Sequence, residues 1–320
     1  MRILICGSMA FDTIMVFGDQ FKNHILPDKI HMLNLCFFVP EMRREFGGTA
    51  GNIAYNLKLL AGDPVIMATV GEDFAPYSIW LQQNQLDTTH IKQIPGSFTA
   101  QAFITTDQDD NQITAFHPGA MQECHQNSVL DANDISLAII APDGRDGMFQ
   151  HARECHEQGI PFMFDPGQGL PMFSGEELLH FIELATYVAA NDYEAQLMQE
   201  KTGLSIEEIA SKVKALIITK GAEGSTIYAD DQVFEIPPMA ALQVVDPTGC
   251  GDAYRAGLLY GIVQGWDWPV CGRLASVMGA LKIESRGAQN HKPTRDQIQL
   301  AYSQVLVNET LAQHVEETNA

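Results

Sequence analysis

The chain has 320 residues, 46% of them hydrophobic, enough for a sizeable core in one large α/β unit or about two domains. Its 40 acidic residues against 19 basic ones give a net charge of -21 at pH 7, which argues against a nucleic-acid or anionic-membrane partner. No segment approaches the roughly 20 apolar residues that span a bilayer, and six scattered cysteines without a CxxC or metal-finger spacing point to a reducing cytoplasm.

The apolar run after Met1 is too short for a signal peptide and soon meets Asp12, so Ile3–Cys6 reads as a buried first strand. A helix follows over Asn52–Ala61, with Ile53, Leu57 and Leu60 on one face and Gly62 at its end. Strand and helix then alternate: Val65–Val70 and Asp73–Asn84, Ile135–Ala141 and Gly147–Gln158, Pro161–Phe164, Tyr187–Ala190 and Asp192–Lys201, and Ala215–Thr219. Ser225–Ala229 and Gln232–Ile236 form a hairpin around Asp230-Asp231, and helices near 251–264, 269–284 and 294–306 close the chain. This rhythm predicts a mostly parallel sheet with helices on both faces. It is interrupted between Asp12 and Gly47 and by the alternating stretches Phe98–Thr106 and Gln112–Phe116. Both interruptions read as one small β-lid over a site, with His117 at the turn back to the core. The predicted division is a core of 1–11, 47–93 and 118–320 and a lid of 12–46 and 94–117.

The most informative stretch is Asp246-Pro247-Thr248-Gly249-Cys250-Gly251-Asp252, after Val244-Val245 and before a helical pattern of Ala253, Ala256, Gly257 and Tyr260. A Gly-rich turn opening a helix presents unpaired N–H groups and a positive dipole end, a cradle for phosphate. Asp252 inside that cradle would repel phosphate unless it accepts a proton from an attacking hydroxyl. An acidic residue in a first helical turn is also ordinary dipole chemistry, so the residues alone leave both readings open.

Three further segments are candidates. Phe46-Gly47-Gly48-Thr49-Ala50-Gly51-Asn52 opens a helix with glycines that permit close approach and an amide able to donate and accept; the plain alternative is a helix start capped by Thr49. In Asn191-Asp192-Tyr193-Glu194, Asn191 and Glu194 share a helix face, but Asn-x-x-Glu is equally a capping box. Thr219-Lys220-Gly221-Ala222-Glu223-Gly224 ends a strand, with Lys220 in solvent or reaching phosphate. The chain has no GxxxxGK[ST], HExxH or GxSxG, no GxGxxG after its first strand, and no cluster among its ten histidines.

Taken in order, these segments resemble the ribokinase-like (PfkB) family of carbohydrate and nucleoside kinases. Residues 246–252 resemble its second signature, Asp-Thr-x-Gly-Ala-Gly-Asp, with Pro247 and Cys250 as departures, and Gly47, Gly48 and Asn52 match its first, Gly-Gly-x-x-x-Asn. The resemblance implies a three-layer α/β sandwich with a mostly parallel central sheet plus a small β-lid. It implies Asp252 as catalytic base and the backbone of Gly249, Cys250 and Gly251 as anion hole. It further implies Asp12, Gly47, Gly48 and Asn52 on the acceptor's hydroxyls; Thr219, Gly221, Gly224 and Asn191 along the nucleotide; and Glu194 supporting Mg2+ through water. Asp246 and Thr248, with the run Ser285-Arg286-Gly287-Ala288-Gln289, resemble the family's K+ loop, which is carried by backbone carbonyls.

The implied reaction is transfer of the γ-phosphate of ATP, with Mg2+, to a primary hydroxyl. The wording of Arg43–Gly48, Thr114–Met121 and Gly251–Gly257 is similar to bacterial adenosine kinases, and Phe37, Phe38, Phe46, Phe103 and Phe116 offer the lid stacking surface for a base. Adenosine, phosphorylated on its 5'-hydroxyl to AMP, is the expected acceptor. A ribokinase- or fructokinase-type sugar kinase is the alternative; a ligand-binding regulator on a degenerate kinase fold is the other, opposed by intact Asp252 and Gly249–Gly251. A monomer or a lid-mediated homodimer is expected.

Overall fold

The first strand, β1 (Arg2–Cys6), is apolar at every position after Arg2 and buried on both faces. Such a strand belongs inside a parallel sheet. In the computed structural model, which describes residues 1–25, 35–109 and 111–304, β1 pairs in parallel with β4 (Asp63–Val70) on one side and β8 (Ile135–Ile140) on the other. Beyond β4 lies β5 (Asp87–Gln93). Beyond β8 come β9 (Phe162–Phe164), β10 (Tyr187–Asn191), β11 (Ala215–Thr219) and the antiparallel pair β12 (Ser225–Ala229) and β13 (Gln232–Ile236), nine strands in one sheet. The chain leaves β1 in opposite directions along the sheet, and the crevice at the C-terminal ends of β1 and β8 is where such sheets bind ligands.

The two sides of β1 separate two cores. Ile3 and Ile5 pack under α1 (Thr49–Leu59), α2 (Ala75–Gln83), α7 (Cys250–Gln264) and α8 (Trp268–Ile283). Leu4 and Cys6 pack under α3 (Arg145–Glu157), α4 (Gly175–Leu184), α5 (Asp192–Thr202) and α6 (Ile206–Ala210). A further helix over 295–304 sets Ile298 and Ala301 against Leu274, Val277 and Met278 of α8. This is the expected three-layer sandwich around a mostly parallel sheet.

A second sheet has the order β3-β2-β6-β7, from β2 (Ala10–Val16), β3 (Glu41–Gly47), β6 (Ala100–Thr106) and β7 (Gln112–His117). Its strands come from the two stretches that interrupt the βα rhythm. His117 is the last residue of β7 rather than a turn residue.

Two helix ends differ from expectation. α1 begins at Thr49, not Asn52, and its N-cap is Gly48 at φ 85° rather than Thr49, whose hydroxyl donates to Pro142 O at 3.2 Å. At the other end Ala61, not Gly62, takes the left-handed conformation, φ 58°. The predicted hairpin turn has both Asp230 and Asp231 at positive φ, 52° and 57°, which matches the right-handed strand twist.

Candidate active site

Gly249 caps α7 in the left-handed region, φ 79°, and a Cβ there would lie 2.8 Å from the Cβ of Ala288. Gly251 differs: its Cβ position is open, with nothing nearer than an Arg255 nitrogen at 3.8 Å. Among the described residues the N–H groups of Gly249, Gly251 and Asp252 have no backbone or side-chain acceptor, whereas that of Cys250 donates to Pro247 O at 3.1 Å. The expected anion hole therefore needs a correction. Cys250 spends its N–H on the turn, and the free donors are those on either side of it.

Asp252 stands in the first turn of α7, and its Oδ2 accepts from Asn52 Nδ2 at 2.8 Å. It keeps an accessible edge yet lies deep in the cleft, and loss of hydration pushes its carboxyl up to about 7. The Asn52 amide and Arg255 pull the other way, while Asp165 and Asp12 add to the rise. A carboxylate near neutrality is matched to taking up a proton at physiological pH.

The orientation of Asn52 is dictated from behind. Trp80 Nε1, a donor only, donates to Gln289 Oε1 at 3.0 Å; Gln289 Nε2 then donates to Asn52 Oδ1 at 2.9 Å and to the Tyr77 hydroxyl at 2.5 Å, and Tyr77 donates to Gly47 O at 2.8 Å. With an indole N–H at one end and a carboxylate at the other, every amide in the chain has one satisfactory orientation. Gly51 makes room for this network, because a Cβ there would come within 2.1 Å of the Tyr77 hydroxyl.

Asp12 lies on β2 opposite Glu45 of β3. Burial first, then the charges of Glu45 and Asp246, raise its carboxyl to about 6. Gly47 is a glycine for contact: a Cβ would sit 2.5 Å from Asp12 Oδ2. Gly48 is one for conformation as well, its Cβ position lying 2.5 Å from Ser8 O. Asp12, Gly47, Gly48 and Asn52 thus meet Asp252 around one end of the cleft. Glu45 ties the small sheet to the core by accepting from Asn290 Nδ2 at 2.7 Å, and Arg43 Nε lies 3.4 Å from its other oxygen.

The lid aromatics are not one stacking surface. Phe46 stacks on Tyr77 and Trp80, with centroids 4.6 and 5.5 Å away, and belongs to the core side. Phe37 packs with Phe17 and Phe21 at 4.8 and 5.1 Å. Phe103 pairs with Thr13, one residue out of phase with Asp12, and so lies on the opposite face. Phe38 is exposed. Phe116 alone pairs, through Ala102, with the face that carries Asp12, and it is 54% exposed.

The Asn191–Glu194 pair is a complete capping box. Asn191 is the last residue of β10 and the N-cap of α5, its Oδ1 accepting from Glu194 N at 2.7 Å, while Glu194 Oε2 accepts from Asn191 N at 2.8 Å. The two therefore do not share a helix face as the spacing implied. Burial raises the Glu194 carboxyl, with Asp165 adding and Arg255 opposing. Arg255, on α7 one turn beyond Asp252, donates to Asp165 through Nε at 3.0 Å, and both side chains are buried. Among the described residues no three acidic, His or Cys side chains gather as a metal site. Mg2+ would fit here as an ion carried on phosphates and water, the setting in which the resemblance gives Glu194 its role. Thr219 is the last residue of β11 and Gly221 and Gly224 follow it at φ 57° and 89°, while Lys220 Nζ lies 3.4 Å from Glu235.

The K+ loop does not fit. The Asp246 carboxylate is spent on the N–H groups of Thr248 and Gly287, at 2.9 and 2.8 Å. The carbonyls of Asp246 and Ser285 accept instead from the buried ammonium of Lys282, at 2.8 and 3.1 Å.

Sequence reasoning missed Lys282, Gln289 as a partner of Asn52, Trp80, Tyr77, and the pair Arg255–Asp165. Only Arg255 gave a signal, as a charge on the apolar side of a helix pattern. A shallow depression lined by Arg145, Phe149, Glu176, Glu177 and His180 shares none of the cleft residues.

Residues 13–295 match the pfkB family carbohydrate kinases. A nucleoside kinase of Methanocaldococcus jannaschii is 33% identical, over 83% of this chain and 88% of its own. The structure of Burkholderia thailandensis nucleoside kinase in complex with inosine is 54% identical and superposes with a TM-score of 0.86, covering 95% of this chain and 97% of that one. The same protein in complex with ADP-inosine is 55% identical, with a TM-score of 0.84 and 95% of each chain covered. The free N–H groups at the start of α7, the carboxylate among them and the two glycine signatures thus stand in a chain that belongs to the pfkB family of carbohydrate kinases, phosphotransferases with an alcohol group as acceptor.

Proposed function

We propose that the chain phosphorylates the 5'-hydroxyl of a purine nucleoside with ATP, adenosine and inosine being the acceptors to compare first. The observation that carries this is the Asp252 carboxylate, held by Asn52 among unpaired N–H groups at a helix start. The attacking hydroxyl gives its proton to Asp252 as its oxygen bonds the γ-phosphorus and the bond from that phosphorus to the β,γ-bridging oxygen breaks, ADP leaving with the bonding pair; the N–H groups of Gly249, Gly251 and Asp252 stabilise the charge that builds on the transferred group. Mg2+, when bound with the nucleotide, supplies charge neutralisation on the phosphates. Asp12, Gly47, Gly48 and Asn52 hold the ribose hydroxyls. Thr219, Gly221, Gly224 and Asn191 run along the nucleotide.

A nucleoside, rather than a bare sugar, is favoured by the likeness to a nucleoside kinase solved with inosine and by the exposed Phe116 ring on the face that carries Asp12. The small sheet acts as the lid, and its closure keeps water from the reacting phosphate. A coupled assay of ATP consumption across adenosine, inosine, ribose and fructose tests this. The expected result is a nucleoside kcat/KM well above that of either sugar. The reverse order overturns the nucleoside reading and leaves the kinase reading standing.

A further inference from the structure

Lys282 is the only lysine among the fully buried side chains of the described residues, at 0% exposure. It lies in the last turn of α8, where the negative end of the helix dipole favours a cation. Its ammonium donates to Asp246 O at 2.8 Å and Ser285 O at 3.1 Å, two carbonyls from separate loops. The same two loops are stitched together by Gly287 N donating to Asp246 Oδ2 at 2.8 Å, and the Asp246 loop is docked on α8 by Val245 N and Asp246 N, both donating to Ile283 O. One residue beyond Asp246, the carbonyl of Pro247 receives the Cys250 N–H and shapes the turn that frees the neighbouring donors. Cys250, Asp246 and Asp252 all lie within electrostatic reach of the ammonium.

A buried positive charge ligated by backbone carbonyls, at a helix C-terminus and under an anion cradle, has the charge and donor set of an alkali cation site. An ammonium and K+ are close in size and carry the same charge, so they compete for one set of oxygens. We propose that the Lys282 ammonium stands permanently where a monovalent cation would otherwise bind, clamping the 246–251 turn to the 285–287 loop, and that the protein works without K+. Lys282 is then a positioning residue: it touches neither substrate nor the reacting phosphate. The inference rests on kinase membership and holds whichever alcohol is the acceptor.

The test has three arms at constant ionic strength, each in choline, Na+, K+ and NH4+ chlorides. In the parent protein, kcat should be the same in all four. Lys282→Ala, which opens the ammonium's space, should lose about 10–100-fold in kcat, the scale of one misplaced oxyanion donor or less. K+ or NH4+ should restore part of that loss with saturation, and choline none. Lys282→Met fills the space without a charge and should lose activity beyond rescue. Thermal midpoints give a reading that needs no acceptor: K+ should raise that of Lys282→Ala relative to choline, by binding the folded state, and leave the parent unchanged. Activation of the parent by K+ over choline overturns the proposal. So does an alanine variant that behaves identically in K+ and choline in both measurements.

Discussion

The inner strands of the large sheet are buried on both faces, and β8 ends in four consecutive buried residues, whereas in the small sheet β7 is exposed at every position. The groups that would do chemistry sit on the first. Asp252, the free N–H groups and Glu194 all stand at helix starts pinned to the C-terminal edge of the nine-stranded sheet. The groups that would choose the acceptor, Asp12 and Phe116, sit on the second. Proton transfer needs a carboxylate held to a fraction of an ångström, and a packed layer supplies that. A sheet with one open face can move over a ligand because little apolar surface holds it down.

The sharpest way to break the comparison is at its rigid end. Asp252→Asn keeps the shape and the Asn52 contact but removes the proton acceptor, so kcat should fall about 10²–10⁴-fold with the thermal midpoint nearly unchanged. Near-parental turnover would mean that the carboxylate serves only the helix dipole.

The next effect is on stability. Removing one partner of a buried ion pair leaves the other charge uncompensated, so Asp165→Asn should cost about 3–5 kcal/mol in urea unfolding, with Arg255 stranded beside Asp252. A loss within about 1 kcal/mol would show that Glu194 already neutralises Arg255. On the open sheet, Asp12→Ala should act on binding instead. Each hydrogen bond to its carboxylate contributes about 1.5–3 kcal/mol, so acceptor KM should rise about 10–100-fold or more while KM for ATP stays put. Equal rises in both would place Asp12 outside the acceptor site.

A smaller effect runs between the two regions. Gln289→Met removes the donor that fixes Asn52, whose amide is then free to turn its oxygen towards Asp252. An oxygen there favours the protonated acid, so the carboxyl rises above its value of about 7. The ionised form is the active one. Activity is therefore lost as pH falls through that value, and the acidic limb of kcat/KM should move upward by about one pH unit. A drop in activity with an unmoved limb would make Gln289 merely structural.

What the sequence disclosed follows its local periodicities. The apolar run Ile3–Cys6, the helical spacing after Gly251 and the Asp230-Asp231 turn are each decided by neighbours in the chain, and the structure repeats them within a few residues. The helix start at Thr49 is not legible in the chain because what makes Gly48 a glycine, the close approach of Ser8 O and Ala10 N, comes from about forty residues away. Gln289 touches Asn52 across 237 residues and Tyr77 across 212, and no spacing rule reaches that far. Lys282 reads in sequence as an ordinary last-turn lysine; only the return of the Asp246 loop over α8 buries it. The lid phenylalanines failed as a group because composition counts rings, whereas strand register decides which face each ring takes.

The smallest expected effect is at Cys250, and it separates backbone from side chain at the phosphate end. Its N–H is committed to Pro247 O, and its thiol, 3.9 Å from Asp246 O, makes at most a weak contact. Burial pushes that thiol up to about 11, so it is neutral and a poor nucleophile at physiological pH. Ala at this position keeps the backbone N–H and the turn, and kcat and both KM values should stay within about twofold of the parent. A bulky residue is another matter, since the half-buried side chain borders the Gly249 and Gly251 donors. Cys250→Phe should therefore weaken ATP binding while Cys250→Ala does not. A loss in the alanine variant on the scale of Asp252→Asn would show that the cradle depends on the sulfur, and the rigid end of the cleft would then rest on a side chain rather than on the turn itself.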